Sequence, residues 1–232
     1  MDNAVLAVDC LSVSYGQSEI IHQLSLRAEK NEIVALLGLN GMGKTTLMKT
    51  LMGILPMKQG TVVVSGKDIT AKKPYERVAE GLAYVPQGRM VFPTLTVEEN
   101  IKTGLRSDRE EVPDELYQFF PVLREMRHRR GGNLSGGQQQ QLVIARALAS
   151  KPRMLLLDEP TEGIQPSIIK ELAAILKQIR DLTGLTILVS EQVLSFAMSV
   201  ADRTLVMSRG KIIHESKKEE TDEVTLKQLL SI

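Results

Sequence analysis

The chain has one cysteine, three histidines and almost no surplus of either charge among its 232 residues. Cys10 alone cannot close an internal disulfide, and no Cys/His cluster has zinc-like spacing, so neither device staples the fold and a reducing cytoplasm is the natural compartment. His22, His128 and His214 are scattered and read as surface or boundary residues rather than ligands or general bases. With 29 Lys and Arg against 28 Asp and Glu, no global field favours nucleic acid. The one basic run spans 124–130 and contains Arg124, Arg127, His128, Arg129 and Arg130; it reads as a solvated helix face or a partner-facing patch. Long apolar runs are missing too. Segments 33–37 and 154–157 are far too short to span a bilayer, and Met1-Asp2-Asn3 lacks the basic region that precedes an apolar one in a signal peptide. The expectation is a protein that is neither secreted nor membrane-spanning and serves a membrane only through a partner.

At 232 residues the chain suits one large domain, or one domain with an inserted subdomain. Short β-like runs at 4–9, 20–27 and 61–64 predict a small antiparallel sheet. Further on, apolar runs at 33–37, 154–157, 186–189 and 204–207 alternate with helical stretches, the pattern of a parallel sheet covered by helices. One such helix is predicted from about 166 to 182, where Ile168, Leu172, Ile175, Leu176 and Ile179 form a stripe behind Pro166 in the first turn. Segment 87–150 has almost no strand pattern and predicts helices joined by loops. Thr96 and Glu99 make a capping box there, with Val97, Ile101 and Leu105 following at helical spacing. There is no internal repeat, and only the charged tail 217–223 is expected to be loosely ordered.

Gly38-Leu39-Asn40-Gly41-Met42-Gly43-Lys44-Thr45 matches the phosphate-binding loop, placed between the apolar run 33–37 and an expected amphipathic helix carrying Leu47, Leu51, Ile54 and Leu55. Glycines let backbone N–H groups turn inward around phosphate oxygens, and a helix N-terminus adds partial positive charge. The candidate phosphate contacts are Gly38, Asn40, Gly41, Gly43, Lys44, Thr45 and Thr46, with Lys44 reaching the terminal phosphates and Thr45 on Mg²⁺. The loop alone does not give the reaction. A second element, Met154-Leu155-Leu156-Leu157-Asp158-Glu159, is an apolar strand ending in two acids. The carboxyl end of a buried parallel strand is where α/β folds place ligands, so Asp158 is assigned to Mg²⁺ and Glu159 to orienting or deprotonating the attacking water.

A third element is Leu134-Ser135-Gly136-Gly137-Gln138, opening a helix with Leu142, Val143, Ala145 and Leu148. Ser135 and the Gly136 and Gly137 amides form a second anion site at a helix start. Here the chain resembles the ABC ATPases, whose signature is this pentapeptide. The resemblance implies a P-loop NTPase, a RecA-like parallel core with an antiparallel β subdomain (1–86 and 151–232) and an inserted helical subdomain (87–150). It also implies ATP and Mg²⁺, and a head-to-tail dimer in which Ser135, Gly136, Gly137 and Gln138 serve the partner's ATP. Tyr15 in Ser-Tyr-Gly looks like the adenine-stacking aromatic; it also suits a strand residue in a hairpin. Gln87 in Val-Pro-Gln looks like the Q-loop glutamine that senses Mg²⁺ or the γ-phosphate, with 88–100 facing a membrane partner.

Two positions depart from the family pattern. The switch residue, usually histidine, is Gln192, which can hydrogen-bond a γ-phosphate but not become a cation near neutral pH. The D-loop reads Thr161-Glu162-Gly163-Ile164-Gln165, without the usual ending in Asp. Lys44, Glu159 and Gln192 are the catalytic candidates; Thr45, Gln87 and Asp158 are those for Mg²⁺. The whole chain resembles the ATPase subunits of importers for branched-chain amino acids and urea, and stretches 129–141 and 158–169 look like the urea importer's second ATPase. That resemblance implies a subunit at the cytoplasmic face of the inner membrane, working with a second ATPase subunit, membrane permeases and, indirectly, a periplasmic binding protein. Branched-chain amino acids are the alternative cargo, and an ABC ATPase without a membrane partner a further one.

Overall fold

The strands build two sheets, one antiparallel and one mostly parallel with a core of strands buried throughout. The computed structural model describes residues 4–107 and 109–230; Met1, Asp2 and Asn3 lie outside them. In the antiparallel sheet, β1 (Ala4–Tyr15) pairs on one side with β2 (Ser18–Glu29) and on the other with β4 (Gln59–Val64), and β5 (Lys67–Asp68) closes the edge. In the second sheet, β3 (Ile33–Leu37) lies between β8 (Thr186–Glu191) and β9 (Arg203–Ser208). Beyond β8 come β7 (Met154–Asp158) and β6 (Leu82–Val85), all parallel, while β10 (Lys211–Lys217) runs antiparallel outside β9.

The central strands read as unbroken apolar runs because each feeds two cores at once. Along β3, Ile33, Ala35 and Leu37 join one buried cluster, and Val34 and Leu36 the other. Along β7 the same split puts Leu155 and Leu157 on one side and Met154 and Leu156 on the other, as the two-residue period of a strand requires. One core lies between this sheet and the antiparallel sheet and holds α1 (Lys44–Leu51). The other lies under the long helices α6 (Gly136–Ala149) and α7 (Pro166–Thr183). It runs on into 87–150, where α3 (Val97–Lys102), α4 (Asp114–Phe119) and α5 (Pro121–Glu125) contribute Ile101, Phe119 and Leu123. The shorter α2 (Pro74–Ala79), α8 (Leu194–Val200) and α9 (Glu223–Leu230) complete the helices among the described residues.

Several sequence expectations need adjustment. The strand β6 lies just before the predicted helical insert and is too short, at four residues, to stand out by pattern; it becomes a strand because it pairs in parallel with β7. The helix α1 stops at Leu51 instead of running to Leu55. Gly53, at φ 78°, donates to the Thr50 carbonyl and Ile54 to the Lys49 carbonyl, both at 2.9 Å, which is a Schellman stop. Likewise α3 ends at Lys102, short of Leu105, although its capping box forms as expected: Glu99 N donates to Thr96 Oγ1 at 3.1 Å and Thr96 N to Glu99 Oε2 at 2.8 Å. The charged tail is ordered. It finishes β10, makes a short 3₁₀ turn and enters α9, anchored by the fully buried Leu226. The basic run is partly scaffold, since the Arg127 and Arg129 carbonyls accept from the N–H groups of Glu98 and Val97.

Candidate active site

The loop after β3 is shaped by where it must pass. A Cβ at Gly38 would stand 2.6 Å from the Met207 carbonyl oxygen of β9, so only glycine lets the chain leave the sheet there. Gly43, at φ 104°, then turns the backbone into α1. Lys44 is the first residue of that helix, and its Nζ folds back onto the Gly38 and Leu39 carbonyl oxygens at 2.8 and 3.0 Å. It also meets Glu159 Oε1 at 3.1 Å, in an ion pair buried on both sides.

The backbone bends between the two acids at the end of β7. Asp158 ends the strand with ordinary geometry and is fully buried, whereas Glu159 sits at φ 48°. A left-handed residue other than glycine costs about 1–2 kcal/mol. Glu159 N is held by the Ser190 carbonyl at 3.0 Å, which fixes the bend against β8. Asp158 Oδ1 accepts from Ser190 Oγ at 2.6 Å and from Thr45 Oγ1 at 3.2 Å, and its Oδ2 accepts from Tyr84 OH at 3.1 Å. Burial, reinforced by the Asp158 charge, pushes the Tyr84 phenol far above its ordinary pKa, so it remains a donor. Glu159 Oε2 accepts from Gln87 Nε2 at 3.3 Å and from Gln192 Nε2 at 3.2 Å, and Gln192 also donates to Asn40 Oδ1 at 2.7 Å.

These side chains border a cavity of about 330 Å³. Tyr15, half exposed, and Ile20 form its apolar end; Asn40, Gly41, Gly43 and Thr46 line the loop side; Lys44, Thr45, Gln87 and Glu159 close the polar end. Gly38 and Asp158 stand behind this lining, and Gln192 reaches it through Asn40 and Glu159. Ser135, Gly136, Gly137 and Gln138 do not border it. They open α6, where Ser135 Oγ accepts from Gln138 N at 3.4 Å and Gln138 Oε1 from Ser135 N at 3.0 Å, and a Cβ at Gly137 would meet Ile168 of α7 at 2.7 Å.

Three further residues support the site and were not singled out from sequence. Tyr84 and Ser190 both hold Asp158 from neighbouring strands. The third is Glu191, buried at the end of β8. Its Oε1 accepts from Thr161 N and Oγ1 at 3.1 and 2.7 Å, and its Oε2 from the N–H groups of Gln192 and Val193 at 3.0 and 3.3 Å. Burial outweighs these donors and raises its pKa. Only the position of each at or near a strand's carboxyl end signals a role, and the strand partners that give it meaning are far away in sequence.

Known proteins share the sequence pattern and fold of this chain. Residues 21–162 match the model of the ABC transporter family. The high-affinity branched-chain amino acid transport ATP-binding protein BraG of Pseudomonas aeruginosa is 39% identical over 213 residues, covering 90% of this chain and 91% of that protein. The lipopolysaccharide export system ATP-binding protein LptB of Haemophilus influenzae is 36% identical over 217 residues, covering 90% and 89%. Among solved structures, the ADP conformation of MJ1267, an ATP-binding cassette of an ABC transporter, superposes with a TM-score of 0.85 at 27% identity, covering 98% of this chain and 95% of that one. The architecture is that of the P-loop NTPases, a RecA-like core with an antiparallel sheet and a helical insert. Relatives with unlike cargoes stand at nearly equal identity, so what they share with this chain is the ATP-driven part. The chain therefore belongs to the ABC transporter family, as one of its ATP-binding, ATP-hydrolysing subunits.

Proposed function

We propose that the cavity beside Tyr15 holds ATP and that Glu159 drives its hydrolysis to energise import of branched-chain amino acids. The observation that carries the chemistry is the pairing of Glu159 with Lys44 at 3.1 Å, with two glutamine amides on the other carboxylate oxygen. Adenine would stack on Tyr15, and the phosphates would take the loop's N–H groups. Lys44 would leave the Gly38 and Leu39 carbonyls and Glu159 for the terminal phosphates. Glu159, freed of its cation, would accept a proton from the attacking water as oxygen bonds to the γ-phosphorus and the bond to the leaving ADP oxygen breaks. Gln87 and Gln192 would orient that water and the γ-phosphate oxygens.

Mg²⁺ fits the residues present. The Thr45 hydroxyl and Asp158 carboxylate lie together, 3.2 Å apart, in an all-oxygen pair of the kind this hard cation prefers, with phosphate oxygens and water as its other ligands. When bound, it would neutralise charge on the terminal phosphates. Gln87 touches Glu159, so a ligand role for its amide oxygen requires the side chain to turn.

Across a dimer interface, the Ser135 helix start would face the ATP of a second ATPase subunit. An apolar groove of about 520 Å³, lined in part by Ile54, Val78, Phe92 and Leu105, would take a short helix of the membrane permease. The cargo rests on the relatives: BraG's name specifies branched-chain amino acids, which favours that alternative over the urea expected from stretches 129–141 and 158–169.

The test of the chemistry is Glu159→Gln, which should lower kcat at least about 100-fold while leaving ATP affinity within a few-fold. Unchanged turnover would end the assignment. For the cargo, the subunit should copurify with permeases from its native membranes. With the binding protein present, leucine or valine should stimulate hydrolysis. Stimulation by urea instead would return the earlier expectation, and absence of any membrane partner would remove the transport reading while leaving the ATPase.

A further inference from the structure

One charged side chain beside the site has no part in the chemistry above. Gln87 reaches Glu159, but Arg89, two residues on, lies between two other turns. Its Nη2 donates to the Glu162 carbonyl at 3.2 Å, in the D-loop that follows β7. Its guanidinium also covers two glycine backbones: a Cβ at Gly136 would stand 2.5 Å from Nη1, and one at Gly163 would stand 2.9 Å from Nη2. Gly136 opens the signature helix α6, in the helical insert, whereas Glu162 and Gly163 belong to the turn after the central strand. The two backbones also approach directly, since the Gly136 Cβ position is 3.6 Å from the Gly163 carbonyl oxygen.

The loop's shape delivers Arg89 to that place. Gly88, Arg89 and Met90 are left-handed in succession, at φ 84°, 64° and 45°. Two of the three lack glycine's freedom, so surrounding contacts must hold the conformation. Arg146 Nη2 donates to the Met90 carbonyl at 2.8 Å, and Phe92 N donates to Asn100 Oδ1 at 2.8 Å. Gln87 and Arg89 therefore share one tightly turned loop, with one side chain at the hydrolytic carboxylate and the other against the signature and D-loop turns.

We propose that Arg89 is a positioning residue that locks the signature turn to the D-loop, so that both meet the second subunit's ATP as a single edge. The planar guanidinium suits this, because it can donate from one nitrogen to Glu162 while its face and second nitrogen fill the space left by two glycines. A lysine ammonium supplies the donor without the plate. The inference rests on the reading that the signature turn faces a nucleotide held by another subunit.

The test compares Arg89→Ala and Arg89→Lys with the wild type. In the nucleotide-free subunit, Arg89→Ala should raise amide hydrogen exchange at both 134–138 and 161–165 and leave 38–46 unchanged. Affinity for Mg-ATP at low protein concentration should stay within about twofold. The turnover number should fall about tenfold, the size of one lost charge-assisted hydrogen bond, with partial recovery in Arg89→Lys. Exchange unchanged at both turns would overturn the lock, as would a loss of ATP affinity as large as the loss of turnover. The same substitution in a Glu159→Gln background should weaken ATP-dependent assembly about tenfold. If the Glu159→Gln parent itself does not assemble with ATP, the two-subunit reading fails, and the exchange measurement still decides whether Arg89 ties the turns.

Discussion

At the scale of single residues, the site depends on one bend. Asp158 and Glu159 are adjacent acids, and in an ordinary extended strand they would simply project to opposite faces. The left-handed backbone at Glu159 instead swings the second carboxylate to the cavity, where Lys44, Gln87 and Gln192 converge on it. Lys44, Asp158 and Glu159 were legible in the sequence because the loop and strand-end motifs are local, whereas Gln87 and Gln192 were singled out only by resemblance to the ABC ATPases. Tyr84, Ser190 and Glu191 were not legible, because each acts through a partner strand or turn 30 or more positions away in sequence. The glutamine at position 192 carries a prediction about pH. An amide has no ionisation near neutrality, so wild-type kcat should lack a histidine inflection from this position. Gln192→His should add an ionisation at or above about pH 6.5, raised by the neighbouring Glu159 carboxylate. Profiles of kcat between pH 5.5 and 9 decide it; identical curves would mean that position 192 does not face the reacting groups.

At the scale of elements, helix α1 must end where it does to keep the site in place, and both its ends are made from distant parts. Its start is fixed by glycines threading past β9. Its end is fixed by Arg77 of α2, whose buried guanidinium donates to the Thr50 and Leu51 carbonyls at 2.9 and 2.7 Å and to those of Lys72 and Thr70 at 3.0 and 2.9 Å. Burial lowers the pKa of Arg77, yet its charge stands at the negative end of the helix dipole. Apolar periodicity alone carried the expected helix on to Ile54 and Leu55. It missed the stop because Gly53 acts through its φ and through Arg77, whose Nε would lie 2.8 Å from a Cβ there. Arg77→Ala should strand several buried carbonyls and cost about 2–4 kcal/mol in urea unfolding. Gly53→Ala should cost about 1–3 kcal/mol by strain and by pushing the same guanidinium aside. A loss below about 0.5 kcal/mol for Arg77→Ala would mean that water replaces the guanidinium at no penalty.

At the scale of the whole molecule, two cores share one sheet, and this explains which parts of the architecture could be read in advance. The apolar runs of β3, β7 and β8, which feed both cores, stood out, as did the amphipathic α7, whereas β6 feeds both cores over only four residues and the edge strand β10 is half exposed, so each is recognised by its pairing. The helical insert packs into the same core as α7, so a force on the insert reaches the sheet that carries Asp158. Both cores reach the surface in the apolar groove beside the insert, where Val85, Val143, Met52 and Leu82 meet Ile54 and Val78, 51% and 40% exposed. Burying such side chains under a partner would contribute about 25 cal/mol for each Å² removed from water, while leaving them exposed contributes nothing to the subunit's own fold. Charged substitutions there should therefore separate partner coupling from catalysis. Ile54→Asp and Val78→Asp are expected to keep basal ATP hydrolysis of the isolated subunit within about twofold, because neither side chain borders the cavity at Tyr15. Both should abolish copurification with the permeases and any stimulation by the cargo-loaded binding protein, since an aspartate in a closed apolar groove is left desolvated and unpaired. If the permeases still copurify with the double variant, the membrane subunits dock on another face.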